Sequence, residues 1–314
     1  MENVKILIIE LIKLCIPIFI GLIAVKTKYM PNIKDSIGTL ISKVLFPVLM
    51  FCIFMDPELS LSEIGANYQI LVVSCIWVAL AFLIGLLVAK AIKAPAKRAP
   101  VFSILMGMSN VTYMGMPICT AMFGEQAGSL GVALVSLSGH IVMWTLGVII
   151  LNTCSGEKKK FSLKNLLSPV TVAIAVALIL KFCGVVLPPI IYNPLNTLGD
   201  TVPYISLVYI GMIIAASDFK EAIKDKVIGV YALMKLIIMP LLLGLLLKIF
   251  ANGFLSADMQ TLVFVEFSSS AMISLTPYFK DCGYDSDFAG RLVFFSITLN
   301  IITMPLVLFI NNLY

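Results

Sequence analysis

Residues 109–124 read SNVTYMGMPICTAMFG. Asn110, Thr112, Tyr113, Gly115 and Pro117 stand out there against the apolar residues on either side. An amide, a hydroxyl and a phenol offer hydrogen bonds, glycine lets another group approach the backbone, and proline deletes an N–H and crowds the preceding turn. A second group follows 160 residues later, where Ser268, Ser269 and Ser270 precede Pro277. Glu266 lies just ahead of it, and His140, Lys235 and Asp200 interrupt other apolar runs. These residues suit reversible binding. No HExxH, no nucleophile with an adjacent base and no carboxylate cluster is present, and a single histidine leaves little for metal chemistry. The reading is therefore a non-enzyme without cofactor or metal. The seven cysteines form no CxxC pair and read as small apolar residues.

Hydrophobic residues make up 60% of the 314 and charged residues 12%, with a mean hydropathy of +1.05. A soluble domain would be about a quarter charged. Apolar runs of about 20 residues recur from end to end, enough to cross a bilayer core. The expected class is an all-α polytopic membrane protein, entirely membrane-embedded, with a retained first span and no cleaved leader. Punctuation of the runs gives ten spans: 5–25, 34–55, 67–91, 99–123, 127–151, 167–184, 195–216, 227–250, 257–280 and 288–312. Most of the 22 basic residues fall in alternate loops, including Lys26, Lys28 and Lys34, Lys90 to Arg98, Lys158 to Lys164, Lys220 to Lys226, and Lys280 with Arg291. Basic loops face the cytoplasm, so both termini are expected outside, in the plasma membrane. The basic residues serve topology and imply no nucleic-acid partner.

The chain also resembles itself at a shift of about 160 residues. NVTYMGMP (110–117) answers to SAMISLTP (270–277), FLIGLLVAK around Gly85 to LLLGLLLK around Gly244, and Met30-Pro31 to Leu187-Pro188. Five spans is an odd number, so a second copy enters the membrane upside down. This predicts a 5+5 inverted repeat, 1–151 and 167–314, joined by a short basic connector at 152–166. Breaks at Pro117 and Pro277 would then cross at mid-membrane. Freed carbonyls there require protein or water as partners. Half-helix N-termini would present N–H groups and partial positive charge, to which a carboxylate is the natural guest.

The chain resembles the auxin efflux carrier family, whose bacterial members include malate and malonate permeases. Asn110, Gly115 and Pro117 fit the family's broken fourth helix, and Ser168-Pro169 its Asn-Pro start of the sixth. Leu198-Gly199-Asp200 with Gly211 fits the seventh. Pro277, Tyr284, Asp287, Ala289 and Pro305 resemble its C-terminal helices. The resemblance implies ten helices, two crossing broken helices at the site, and transport of organic anions. It further implies a scaffold (5–55 and 167–216), commonly dimeric, and a mobile transport domain (67–151 and 227–312). Ser168 in place of asparagine, the run Ser268–Ser270, and the missing long cytoplasmic loop depart from the plant pattern.

Each residue carries two readings at this point. Asn110 either donates to a carboxylate or braces a kink, and Thr112 and Tyr113 either meet substrate or satisfy freed carbonyls. The three serines either face a cavity or permit close helix contact. Glu266 either couples a proton or a sodium ion or pairs with Lys235 or a backbone group. His140 is a relay, a substrate contact or a packing histidine. Lys235 either carries a functional charge or snorkels, and Asp200 belongs to the site or to the interface. A secondary transporter of small organic anions leads. A sodium or proton antiporter and a non-transporting ligand sensor remain as alternatives.

Overall fold

The computed structural model describes residues 15–27, 34–57, 59–154, 169–216 and 224–313. The N-terminal part of the first expected span, Lys28, Met30, Pro31, Ser168, Lys220 and the connector beyond Cys154 lie outside the described residues. All regular elements within them are helical. In chain order they begin with α1 (Cys15–Lys26), α2 (34–55), α3 (Leu61–Ala66) and α4 (Tyr68–Ala91). Next come α5 (Ala99–Gly107), α6 (Met116–Phe123) and α7 (125–154). The second half holds α8 (Pro169–Phe182), α9 (Pro189–Asp200), α10 (Val202–Ala216), α11 (226–250), α12 (Ala257–Phe267), α13 (Leu275–Asp281) and α14 (Ser286–Leu313).

Among the described residues four stretches are long and apolar enough to cross a membrane: Ser36–Met55, Tyr68–Ala91, Leu130–Thr153 and Lys226–Phe250. The pair Ser286–Asn300 and Ile302–Asn311, bent by 60°, makes a fifth. At 1.5 Å per residue the 24 residues of α4 reach about 36 Å, against a hydrocarbon core of about 30 Å. Its exposed side chains Val72, Ile76, Leu83 and Leu87 recur on one helical face and are all apolar, as lipid demands. Among the described residues, three of the other expected spans are interrupted. Residues 195–216 divide at Thr201, and 99–123 and 257–280 are each broken.

Proline explains most irregularities inside the helices. Wide π-helical turns at Ile41–Leu45, Val111–Gly115 and Met234–Ile238 each end two residues before a proline, Pro47, Pro117 and Pro240. A proline ring crowds the carbonyl four residues earlier. That carbonyl falls inside the π turn in all three, where the wider register relieves the clash without parting the helix. The bend of α14 lies at residue 301, four before Pro305. A fourth π turn, Met143–Gly147, has no proline after it.

Small residues set the packing. A Cβ at Gly21 would strike the Val208 backbone, and one at Gly211 the backbone of Ile18, so α1 and α10 touch backbone to backbone. α2 packs on α8 and α9. Gly85 lets α4 lie against Ser103 of α5, and Gly244 lets α11 lie against Phe264 of α12. α7 closes over α4, α6 and α12. At one end of these helices Arg98 joins Asp225 at 2.9 Å and Asp285 at 2.8 Å. The Tyr284 hydroxyl also donates to Leu151 C=O there. At the other end Tyr68 meets the Phe254 ring, and Lys248 Nζ donates to Asn311 C=O at 2.5 Å.

Candidate functional site

The two motifs that stood out in the sequence meet. Helix α5 stops at Gly107 and α12 at Phe267, and the segments that follow run antiparallel past each other at Ser109 and Ala271. Asn110 N–H donates to Ser270 C=O at 2.7 Å, and Met272 N–H donates to Met108 C=O at 2.9 Å. The Asn110 side-chain amide reaches Ser270 Oγ at 3.4 Å. Inside a membrane, backbone groups released by a broken helix must be satisfied by protein. Here each break supplies partners to the other.

The breaks do not fall at the prolines. They lie at 108–110 and 268–274, and Pro117 sits one π turn into the half-helix that follows. Pro277 is the third residue of α13, where a missing N–H costs nothing. The chain leaves the helix where cross-bonds to the other break replace the intrahelical ones; proline shapes the re-entry. The side chains of Thr112, Tyr113, Pro117 and Pro277 lie outside the described residues.

Two buried ionisable side chains attend the broken ends. Lys235, 2% exposed, donates to Met106 C=O at 3.2 Å and to Ser109 Oγ at 2.6 Å. One turn away Tyr231 OH donates to Leu105 C=O at 2.8 Å. The last carbonyls of α5, its partially negative end, thus receive hydrogen bonds from an amine and a hydroxyl of α11. Glu266, fully buried, lies beside the start of the following half-helix. Its Oε1 accepts from Cys119 Sγ at 3.0 Å, and a Cβ at Gly115 would fall inside its carboxylate. Oε2 has no hydrogen-bond partner. Among the described residues no ion pair joins Glu266 to Lys235, so that alternative is set aside. The turn at 111–115 thus has the Glu266 side chain beside it.

The second break is braced from α14. Asn300 Nδ2 donates to Ser268 C=O at 2.9 Å, and Ser296 Oγ accepts from Ala271 N–H at 3.0 Å. Ser268 Oγ is turned back onto Phe264 C=O at 2.6 Å, while Ser269 Oγ is buried and unpaired. Of the three serines only Ser270 bonds across the crossing through its side chain. Asp200 is elsewhere: exposed at the end of α9, it accepts from Asn196 at 3.1 Å.

A narrow cleft, with room for little more than a water molecule, opens beside the first break. Gly107–Val111, including Asn110, form one wall, and Ser136 and His140 of α7 another. Phe46 of α2 closes it, with its ring centroid 5.7 Å from that of His140. His140 Nδ1–H donates to Ser136 C=O at 2.7 Å. Sequence reasoning passed over Cys119, Tyr231, Ser296 and Asn300. Ser296 and Asn300 carried a signal, since each lies 160 residues after Ser136 and His140.

Long apolar helices and a buried polar crossing define a multi-pass helical membrane protein of the transporter class. The chain matches the membrane transport protein family over residues 6–308 and belongs to it. This is the auxin efflux carrier family, so the resemblance read from the motifs holds. No curated protein matches it.

Proposed function

We propose that the protein is a secondary carrier of small organic anions, mono- or dicarboxylates, working by alternating access in the plasma membrane. The observation that carries this reading is the pair of crossed breaks beside a cleft walled by Asn110 and His140. α2 closes the cleft from the other side. Unwound backbone at membrane depth is costly unless it lines protein or a cavity, and carriers place their substrates at such points. The cleft also lies between two sets of helices. α2, α8 and α9 pack together on one side; α4, α7 and the crossing pack on the other. Sliding of the second set against the first would expose Asn110 to each side in turn.

In this reading the ten spans form two inverted five-span repeats with both termini outside. α1, α2 and α8–α10 form the scaffold, through which two copies pair. Asn110 donates its amide to the carboxylate, Ser270 orients that amide, and Lys235 and Glu266 hold the broken ends. The antiporter alternative needs paired membrane carboxylates, and Glu266 is the only buried one among the described residues. Malonate counterflow in proteoliposomes is the test. Asn110→Ala should fold and lose exchange at least about tenfold, the worth of one charge-assisted hydrogen bond. Undiminished exchange by Asn110→Ala would remove the crossing from the substrate's path. Sodium-driven flux without any carboxylate would favour the antiporter.

A further inference from the structure

The two halves use one pair of positions differently. On α14, Ser296 and Asn300 hold the second break: Ala271 N–H donates to Ser296 Oγ and Asn300 Nδ2 donates to Ser268 C=O. Shifted back by 160 residues, the same positions on α7 are Ser136 and His140. These do not bond the first break. Ser136 Oγ points to Met50 Sδ at 3.8 Å, and His140 Nδ1 is engaged by its own helix at Ser136 C=O. Met108 C=O, which the His140 position would be expected to serve, is already taken by Met272 N–H. The α7 pair is thus relieved of the bracing duty its α14 counterpart performs, and it lines the cleft with Asn110.

We propose that His140 is the group that binds one carboxyl of the transported anion and that one proton enters the cleft with each anion. This rests on the carrier reading above and adds the coupling ion to it. The argument is one of hydrogen-bond roles. A carbonyl only accepts, so Nδ1 must carry the proton in its bond to Ser136 C=O. Among the described residues nothing occupies Nε2. In the neutral ring Nε2 is therefore a bare acceptor on a residue that lines the cleft, and a carboxylate, also only an acceptor, cannot bond to it. A proton must be added, either on Nε2 to give an imidazolium–carboxylate pair or on the substrate to give a carboxylic acid donating to Nε2. Both routes take up one proton and leave the same composition in the cleft. No other titratable side chain lines it. Lys235 lies behind Ser109, its ammonium bonded there, and Glu266 precedes Phe267 with its Oε1 held by Cys119. Of these groups only His140 borders the cleft directly.

The test is proton uptake on malonate binding, measured with a pH indicator on the purified full-length protein from about pH 6 to 9, where any histidine passes from charged to neutral. The wild type should take up close to one proton per malonate at the alkaline end. His140→Asn, which copies the other repeat, should bind malonate at least about tenfold more weakly without proton uptake. In proteoliposomes it should lose accumulation driven by an acid exterior more than it loses equilibrium exchange. A merely structural histidine would depress both together. Malonate binding by the wild type without proton uptake, or uptake unchanged in His140→Asn, would overturn the proposal. Should His140→Asn not fold, His140→Gln replaces it, and the wild-type measurement decides alone. No malonate exchange by the wild type at any pH would refute the carrier reading itself, a separate outcome.

Discussion

Replacing Gly115 by alanine should change sign according to what stands at position 266. Gly115 has φ −69° and ψ −47°, helical values that alanine adopts freely. On backbone preference alone Gly→Ala would stabilise by about 0.5–1 kcal/mol. The space is the obstacle. The nearest atoms a new Cβ would meet are all in the Glu266 carboxyl group, at 2.2–2.5 Å, well inside van der Waals contact. Glu266 is fully buried, with Cys119 on Oε1, so it cannot swing into water. Forcing a methyl into such a site costs about 1–3 kcal/mol, and the net effect is a loss of about 0.5–2 kcal/mol once the backbone gain is subtracted. In a Glu266→Ala background the obstacle is gone and only the backbone gain remains. The double-mutant cycle should show a coupling of about 1–3 kcal/mol, read as apparent melting temperatures of the four proteins in one detergent at one heating rate. A Gly115→Ala destabilisation that is equal in both backgrounds would refute the claim that the Glu266 carboxylate occupies the slot glycine leaves.

Four further outcomes follow from the packing. Asn300→Ala leaves Ser268 C=O without its donor and should destabilise by about 1–3 kcal/mol, so it should lower thermal stability where Asn110→Ala does not. Gly85→Ala should abolish folded yield in detergent, because the new Cβ meets Ser103 backbone. Gly229→Ala meets nothing within 4 Å and should be neutral or slightly stabilising. Arg98→Ala removes the bonds to Asp225 and Asp285 and should cost roughly 1–2 kcal/mol at neutral pH, since both pairs are partly exposed. Burial raises the Asp285 carboxyl, but the Phe288 N–H and the Arg98 guanidinium outweigh it and hold the group below its ordinary value. That stability is present above the unfolded carboxyl's value and is lost as pH falls through the lower folded one. The gap between wild type and Arg98→Ala should therefore narrow in acid, and a constant gap across pH would count against the pairing.

What the sequence revealed was period, polarity and self-similarity. Breaks near residues 110 and 270 were legible because polar residues and proline in an apolar run cannot be lipid-facing helix. Their meeting was legible because both halves repeat them at one shift. The exact points of unwinding were not. A proline marks where a helix is strained, but the chain parts where other bonds can replace the ladder, and those come from the other half of the chain. The partners of Lys235 and Glu266 were hidden for a similar reason. Each lies against a half-helix end from the first half of the chain, a relation set by crossing geometry and not by spacing along one helix. Cys119 looked like an ordinary small apolar residue until Glu266 was placed beside it. Asn300 and Ser296 were within reach, since extending the shift of 160 to the last helix pairs them with His140 and Ser136.

A map of the protein with malonate bound tests the central claim most directly. The account predicts density between Asn110, His140 and Phe46, with the two interrupted helices still bonded to each other at Asn110 and Ser270. Density confined to another part of the molecule, or continuous helices through 108–110 and 268–274, would contradict it.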